Sequence, residues 1–296
     1  MHALNTRRMC ALVLLMICLF SGFGHARAEE TALNVLLIGV DSAAEGQRGR
    51  SDVMMLACIR PESGSVHLVS FLRDLYVSIP GVGKTRLNAA YHYGGEALLK
   101  QTLEENFGIK IDGNLEVDFS GFTKIIDTLG GVSIELRQDE AEAINLSTSR
   151  TLTEGTQLLT GTEALAYARI RKLDSDGDFS RTARQRKLLE ILLSTVMQDM
   201  DVMKLYSLME SVIPYVATNM NATAIFNLAT SVLQSGIIQK AQSGETLMEQ
   251  FRLPMDKAYS YKTIDGASVV YMSTSKFKQN KEALHEFIYG SYYPAE

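Results

Sequence analysis

Seven of the nineteen residues in the stretch 169–187, RIRKLDSDGDFSRTARQRK, are lysine or arginine. The chain as a whole is acidic, and without Arg7, Arg8 and Arg27 near its start the net charge of −5 becomes about −8. A cationic cluster on an acidic protein needs a local negative partner. Arg181, Arg184, Gln185 and Leu188 stand at i, i+3, i+4 and i+7, a spacing that puts them on one face of a helix. Arg169 and Arg171 close the helical stretch before it. A solvated charged face would carry interspersed Glu, and this run lacks it. The planar fork of arginine suits phosphate oxygens, above all a pyrophosphate, which needs several donors.

Two carboxylates and two more arginines fall at the boundaries of apolar runs. Asp41 directly follows the run 34–40 (NVLLIGV), and Asp52 directly precedes the run 53–59 (VMMLACI). Adjacent strands could bring the two within a few ångströms. Hard oxygen ligands at strand ends suit Mg²⁺, which commonly takes one or two carboxylates together with substrate phosphates. Taken alone, such a pair is also what ordinary turns contain. Arg50 and Arg73 flank the same strand ends, although Arg73-Asp74 alone would read equally as an exposed turn pair of little energetic weight.

Other motifs carry less. Gly81-Val-Gly-Lys-Thr85 resembles the end of a phosphate-binding loop, but Ser78 stands where its opening glycine belongs and Pro80 stiffens the segment; a turn after 75–79 is expected. Asp174-x-Asp176-x-Asp178 has its glycine at the fourth position of the loop and Gln185 in place of the closing Glu, which excludes an EF-hand. There is no Gly-x-Ser-x-Gly, no His-Glu-x-x-His and no Cys/His cluster, so neither a hydrolase triad nor a zinc site is expected. His67, in a strand, and His92, between two tyrosines, read as structural residues. Nucleic acid is excluded by the acidic balance and by the absence of aromatics within the basic run.

The elements that position these residues follow from periodicity. The runs 34–40, 53–59 and 66–72 are continuous apolar stretches, as in strands buried on both faces, with the turn-rich 61–65 making a hairpin of the last two. Helices are expected at 96–107, closed by Gly108, across 122–129, from Thr160 with its Glu163 capping partner to about 170, and from about 180 to 200, with more helix to about 239. The segment 132–136 alternates like a half-exposed strand, 268–272 is strand-like, and 281–289 reads as a terminal helix. Intermixed strands and helices define a single α/β domain over 31–292, a mixed central sheet covered by helices on both faces. Cys58 lies in an apolar run and reads as a small buried hydrophobe.

Residues 1–28 read separately. Arg7-Arg8, an apolar run over 9–23 and the small residues of Ala26-Arg27-Ala28 are the parts of a signal peptide, with a membrane anchor as the alternative. Either places the remaining chain outside the cytoplasm.

In order, these pieces resemble the LytR-CpsA-Psr family of cell-envelope glycopolymer transferases. The matching stretches are NVLLIGVD (34–41), RSDVMML (50–56), SFLRDLYVSIPG (70–81), RLNAAYHYGG (86–95), DTLGGVSIEL (127–136), GTQLLTGTEALAYARIRK (155–172), DFSRTARQRK (178–187), and FRLPMD (251–256) with FIYG toward the end. The resemblance implies transfer of a glycopolymer from a polyprenyl-pyrophosphate carrier to a peptidoglycan sugar hydroxyl, forming a phosphodiester at the outer face of the cell membrane. It implies Mg²⁺ at Asp41 and Asp52, and a pyrophosphate held by Arg50, Arg73, Arg86, Arg169, Arg171, Arg181 and Gln185. Arg73 and Arg169 would be the arginines most needed for catalysis, with Asp52 or Asp178 as general base. Arg86 stands where many members have Lys, and the segment after Asp41 lacks a frequent Arg, a place that Arg48 or nothing fills. The lipid tail would lie in an apolar tunnel between sheet and helices, with Leu188, Leu192 and Val196 as lining. Two other readings of the same residues are a non-catalytic polyprenyl-phosphate-binding envelope regulator and a lipid pyrophosphatase.

Overall fold

The run Leu33–Val40 forms strand β1, and its near-continuous apolar character is what a strand covered on both faces requires. Ser51–Ile59 (β2) lies antiparallel beside it, and Gly113–Asp118 (β6) lies parallel on the other side. Val66–Phe71 (β3) pairs antiparallel with β2, and Met248–Leu253 (β10) pairs parallel with β3 at the edge. With the two-residue strand Ala217–Thr218 (β9) the mixed sheet has the order β10-β3-β2-β1-β6-β9. In this computed structural model the described residues are 33–41, 49–59, 66–171, 173, 174, 177–198 and 236–290, with 207, 210–221, 223–225, 228 and 232 between them. The leader 1–28, the expected turn 61–65, Arg48, Lys172 and Asp176 lie outside the described residues.

Alternation along β2 divides the interior. Met54, Leu56 and Cys58 face a core shared with α1 (Asn88–Phe107) and α7 (Thr274–Tyr289), through Leu99, Leu103, Phe107, Leu284 and Ile288. Met55, Ala57 and Ile59 face the other way, against α5 (Asp178–Gln198) and α6 (Ile237–Ser243). Each fully buried Leu or Ile contributes about 1.5–3 kcal/mol, so this two-sided burial is what fixes the strand register. A third core packs α2 (Phe119–Thr128), α3 (Gln138–Ser147) and α4 (Gly161–Arg169) around the hairpin of β7 (Val132–Leu136) and β8 (Gly155–Leu159). Ser260–Ile264 (β11) and Ala267–Tyr271 (β12) form a separate hairpin.

The expected helix at 96–107 begins earlier. α1 starts at Asn88 and is interrupted by Gly95, whose positive φ of 66° breaks the helical run where the Gly94-Gly95 pair made a later start the natural reading. Gly108 closes it with φ 65° and donates its N–H to the Glu104 carbonyl. The capping box forms as expected, the Thr160 N–H donating to Glu163 Oε2 at 2.8 Å. Residues 80–82 make the hairpin turn between Tyr76–Ile79 (β4) and Gly83–Arg86 (β5), with Gly81 and Gly83 at φ 72° and 104°. Cys58 is fully buried, and His67 is held by the Phe287 carbonyl at 2.9 Å.

Among the described residues no helix is long and apolar enough to cross a membrane. Leu188, expected to line a tunnel, is packed in the third core with Leu192 against it, and Val196 packs with Leu189 and Leu193 against the outer face of β2 and β3.

Candidate functional site: an arginine–carboxylate centre

A β-bulge starts the site. Gly39 faces Val53 and Val40 faces Ser51, so Asp52 is the extra residue on β2. Bulges re-aim a side chain at a strand end, and here the side chain is Asp52, turned to the segment that follows β3. Gly39 is the residue that permits it: a Cβ there would lie 2.9 Å from Val53 Cβ.

Arg73 meets Asp52 directly, Nη1 donating to Oδ1 at 2.6 Å. Its Nε lies 3.5 Å from Asp74 Oδ2 and 3.6 Å from Asp178 Oδ1. Arg181, 2% exposed, reaches Asp178 Oδ1 at 2.9 Å, Asp52 Oδ1 at 3.9 Å and the Asp52 carbonyl at 3.4 Å. Arg171 approaches Asp52 Oδ2 at 3.8 Å, and Arg86 approaches Asp74 Oδ1 at 3.6 Å. Four guanidiniums thus enclose three carboxylates, one positive charge in excess.

The electrostatics follow from burial and neighbours. Burial pulls the Arg181 pKa down to about 10, reinforced by Arg73 and Arg171 and opposed by Asp178 and Asp52. Burial also opposes the charge on Arg73, but the bond to Asp52 and the fields of Asp178, Asp52 and Asp74 leave its pKa raised. Burial raises the Asp74 carboxyl despite the adjacent Arg73. No hydrogen-bond partner within the described chain reaches Arg73 Nε, Arg181 Nε, Asp74 Oδ1 or Asp178 Oδ2. Buried polar atoms are nearly always paired, so these four keep hydrogen-bonding capacity that the described chain leaves unmet.

Not every expected residue joins the centre. Asp41 stands at the end of β1, its Oδ1 accepting the Arg50 N–H, and it lines a cavity of about 610 Å³ with Glu116, Asp118, Ser120 and Tyr215. The Arg50 side chain is exposed. Arg169 is exposed at the end of α4, its guanidinium 4.7 Å over the Phe119 ring, next in sequence to Asp118. Gln185 is buried and donates to the Ala168 carbonyl at 3.3 Å, tying α5 to the end of α4. Arg184, on the same helical face as Arg181, is taken up by Glu140 at 2.8 Å and by Asp174.

Asp74 is the residue that sequence reasoning undervalued. It reads as half of an exposed turn pair, yet its carboxylate lies between Arg73 and Arg86. The available signal was the apolar run that delivers both charges into the fold. Glu116 and Asp118, beside Asp41 at the parallel strand end, belong to no motif that the sequence singles out.

Among the described residues no group of three or more His, Cys, Asp or Glu is arranged to hold a metal ion. The carboxylates of Asp41 and Asp52 are of the donor type that Mg²⁺ uses when substrate phosphates supply the remaining ligands.

Fold and site together define an α/β domain with an arginine–carboxylate centre at the ends of its central strands. The sequence model of the LytR_cpsA_psr family matches residues 21–286. The chain belongs to this family. It is 33% identical over 260 residues to the regulatory protein MsrR of Staphylococcus aureus, covering 86% of this chain and 74% of that protein. It is 34% identical over 218 residues to the polyisoprenyl-teichoic acid–peptidoglycan teichoic acid transferase TagV of Bacillus subtilis, covering 72% of this chain and 55% of TagV. The crystal structure of B. subtilis TagV superimposes with a TM-score of 0.68 over 90% of this chain and 100% of that one, at 26% identity. Protein gbs0355 of Streptococcus agalactiae shares the fold with a TM-score of 0.74 over 92% of this chain and 93% of that one, at 22% identity.

Proposed function

We propose that this protein transfers a glycopolymer from a polyprenyl-pyrophosphate carrier to a sugar hydroxyl of peptidoglycan, forming a phosphodiester, at the extracytoplasmic face of the cell membrane. The observation that carries the reading is the centre of buried Arg181 with half-buried Arg73, Asp52 and Asp178, whose hydrogen-bonding capacity the described chain does not fully meet. The name of TagV, a teichoic acid–peptidoglycan transferase 34% identical to this chain, supports the same reaction class.

In this mechanism Arg73, Arg86, Arg171 and Arg181 bind the pyrophosphate, and Arg169 reaches it from the end of α4. Asp41 and Asp52 would hold Mg²⁺, which supplies charge neutralisation at the phosphates. The acceptor oxygen attacks the phosphorus nearer the sugar, a new P–O bond forms, and the bond from that phosphorus to the bridging oxygen breaks. The lipid phosphate leaves with the electron pair, and arginines already fixed in place stabilise its developing charge. Asp52 or Asp178 takes the hydroxyl proton. Arg50 and Gln185 position rather than bind, Arg50 through its N–H to Asp41 and Gln185 through the Ala168 carbonyl. The lipid tail lies between α5 and the sheet, where Leu37, Val53, Leu189, Leu193 and Val196 are only partly buried. Attachment to the membrane comes through that lipid or through the N-terminal segment.

The relative MsrR carries the name of a regulatory protein, and a non-catalytic polyprenyl-phosphate-binding regulator would use the same arginines without turnover. The test is a transfer assay with lipid-pyrophosphate-linked polymer, peptidoglycan acceptor and Mg²⁺. A covalent polymer–peptidoglycan adduct supports the transferase. Polymer released only to water indicates a lipid pyrophosphatase, and binding without turnover indicates the regulator.

A further inference from the structure

Outside this centre, Arg186 and Arg252 meet at a cleft of about 340 Å³ lined also by Gln250, Phe251, Met255 and Asp256. Arg186 donates from Nε to Gln250 Oε1 at 2.9 Å and from Nη1 to Ser70 Oγ at 3.3 Å. Both acceptors are neutral, and a guanidinium carries five N–H donors. Among the described residues no carboxylate lies within ion-pair distance of Arg186, in contrast to Arg184 two residues earlier on α5, which has Glu140 and Asp174. Burial pulls the Arg186 pKa down to about 10, with Arg252 adding to the decrease, so the group stays charged at neutral pH.

The other charges facing the cleft are few. Arg252 pairs with Asp256, whose carboxylate is 85% exposed, and its guanidinium lies 4.1 Å over the Phe179 ring. Glu190 accepts from Gln250 Nε2 at 2.9 Å, an arrangement that turns Oε1 of that amide toward Arg186. Arg186 is half-buried, its bonded acceptors Gln250 and Ser70 are neutral, and a second guanidinium stands nearby, so an incoming anion would offset the cost of that partial desolvation. The guanidinium fork matches the paired oxygens of a phosphate ester.

The cleft and the centre draw on the same pair of strands. Arg252 on β10 is in register with Ser70 on β3, and Ser70 stands three residues before Arg73. An extended segment of that length spans about 10 Å, so a single polyanion could occupy both places.

We propose that the Arg186–Arg252 cleft is a second anion site, which binds a phosphodiester of the donor polymer further along the chain than the phosphate transferred. The proposal rests on the reading of the arginine–carboxylate centre as the pyrophosphate site, and it makes the substrate a polymer with anionic repeats. The same chemistry is offered by the headgroup of an anionic lipid, so the test separates the two sources.

The experiment measures binding of a lipid-free, phosphodiester-linked glycerol phosphate oligomer to the full chain, beside vesicles of phosphatidylglycerol or phosphatidylcholine. Arg186→Gln is expected to weaken oligomer binding about ten- to a hundredfold. Arg186→Lys should keep part of the affinity, and Asp256→Asn should tighten binding by removing the competing carboxylate. Circular dichroism and thermal melting establish that each variant is folded. Absence of oligomer binding by wild type, or equal binding by Arg186→Gln, would overturn the proposal. A loss confined to phosphatidylglycerol vesicles would also overturn it and assign the cleft to a lipid headgroup. The binding assay needs no turnover, so failure of wild type to transfer polymer counts against the proposed reaction and is read apart from the Arg186→Gln result.

Discussion

Asp52 and Arg73, 21 residues apart, close a 2.6 Å ion pair between a bulge at the start of β2 and the segment leaving β3. Neither charge is isolated, because Arg171 and Arg181 also address Asp52, and Asp74 and Asp178 also address Arg73. The ion pair therefore sits within a network in which each carboxylate keeps a second arginine nearby if one guanidinium turns to another partner.

Arg73→Ala is expected to lower transfer about 10²–10³-fold, the usual loss for one preorganised donor at developing charge. Arg73→Lys should recover little, because an ammonium lacks the planar fork. The fold should survive both changes, since Asp52 keeps Arg171 at 3.8 Å and Arg181 at 3.9 Å. Steady-state rates beside melting temperatures check the pair of statements.

Arg169→Ala separates binding from stability more sharply. Its described contact is the Phe119 ring at 4.7 Å, and an exposed cation–π contact is worth about 0.5–1 kcal/mol. Melting should barely change while transfer is lost. Transfer near the wild-type rate would remove Arg169 from the pyrophosphate site.

Gly39→Ala tests the bulge. The added methyl would lie 2.9 Å from Val53 Cβ and 3.0 Å from its Cγ2, both on the paired strand. Overpacking of this kind costs about 1–3 kcal/mol, and relief by movement of Val53 would displace Asp52. Chemical denaturation should show the loss of stability, accompanied by a fall in transfer. A variant as stable and as active as wild type would mean that the bulge does not depend on glycine.

Asp174→Asn addresses acid stability. The hydrogen bond from Arg184, then its charge, together with Arg137, holds the Asp174 carboxyl below the usual range against the opposing effect of burial. A depressed folded-state pKa contributes stability above the unfolded value near 3.9, and that contribution is lost as pH falls through the folded pKa. The variant should lose about 1–2 kcal/mol at neutral pH, and its denaturation midpoint should fall less steeply below about pH 4. Parallel wild-type and variant curves across the acid range would contradict this.

Much of the frame is legible in the sequence because its signals are local. Continuous apolar runs specify β1, β2 and β3, the Thr160–Glu163 pair starts α4, and Gly108 ends α1. The basic run marks the right place, but helical spacing alone does not distinguish Arg181 from Arg184. One meets the carboxylates of the centre, and the other meets Glu140 from α3, a partner 44 residues away that periodicity cannot reveal. Asp74 is hidden for the same reason, since its neighbour Arg86 arrives through the β4–β5 hairpin. Gln185 sits on the expected helical face, yet its amide is engaged by a backbone carbonyl, which no spacing rule anticipates.

The most direct test of the central claim is mass spectrometry of lipids extracted from the protein purified from bacterial membranes, wild type beside Arg73→Ala. The account predicts polyprenyl phosphates or pyrophosphates with the wild type and their loss from the folded variant. Polyprenyl lipids retained equally by both would contradict the assignment of the arginine–carboxylate centre as the pyrophosphate site. Their absence from both, together with no binding of added polyprenyl pyrophosphate in the presence of Mg²⁺, would contradict the ligand class itself.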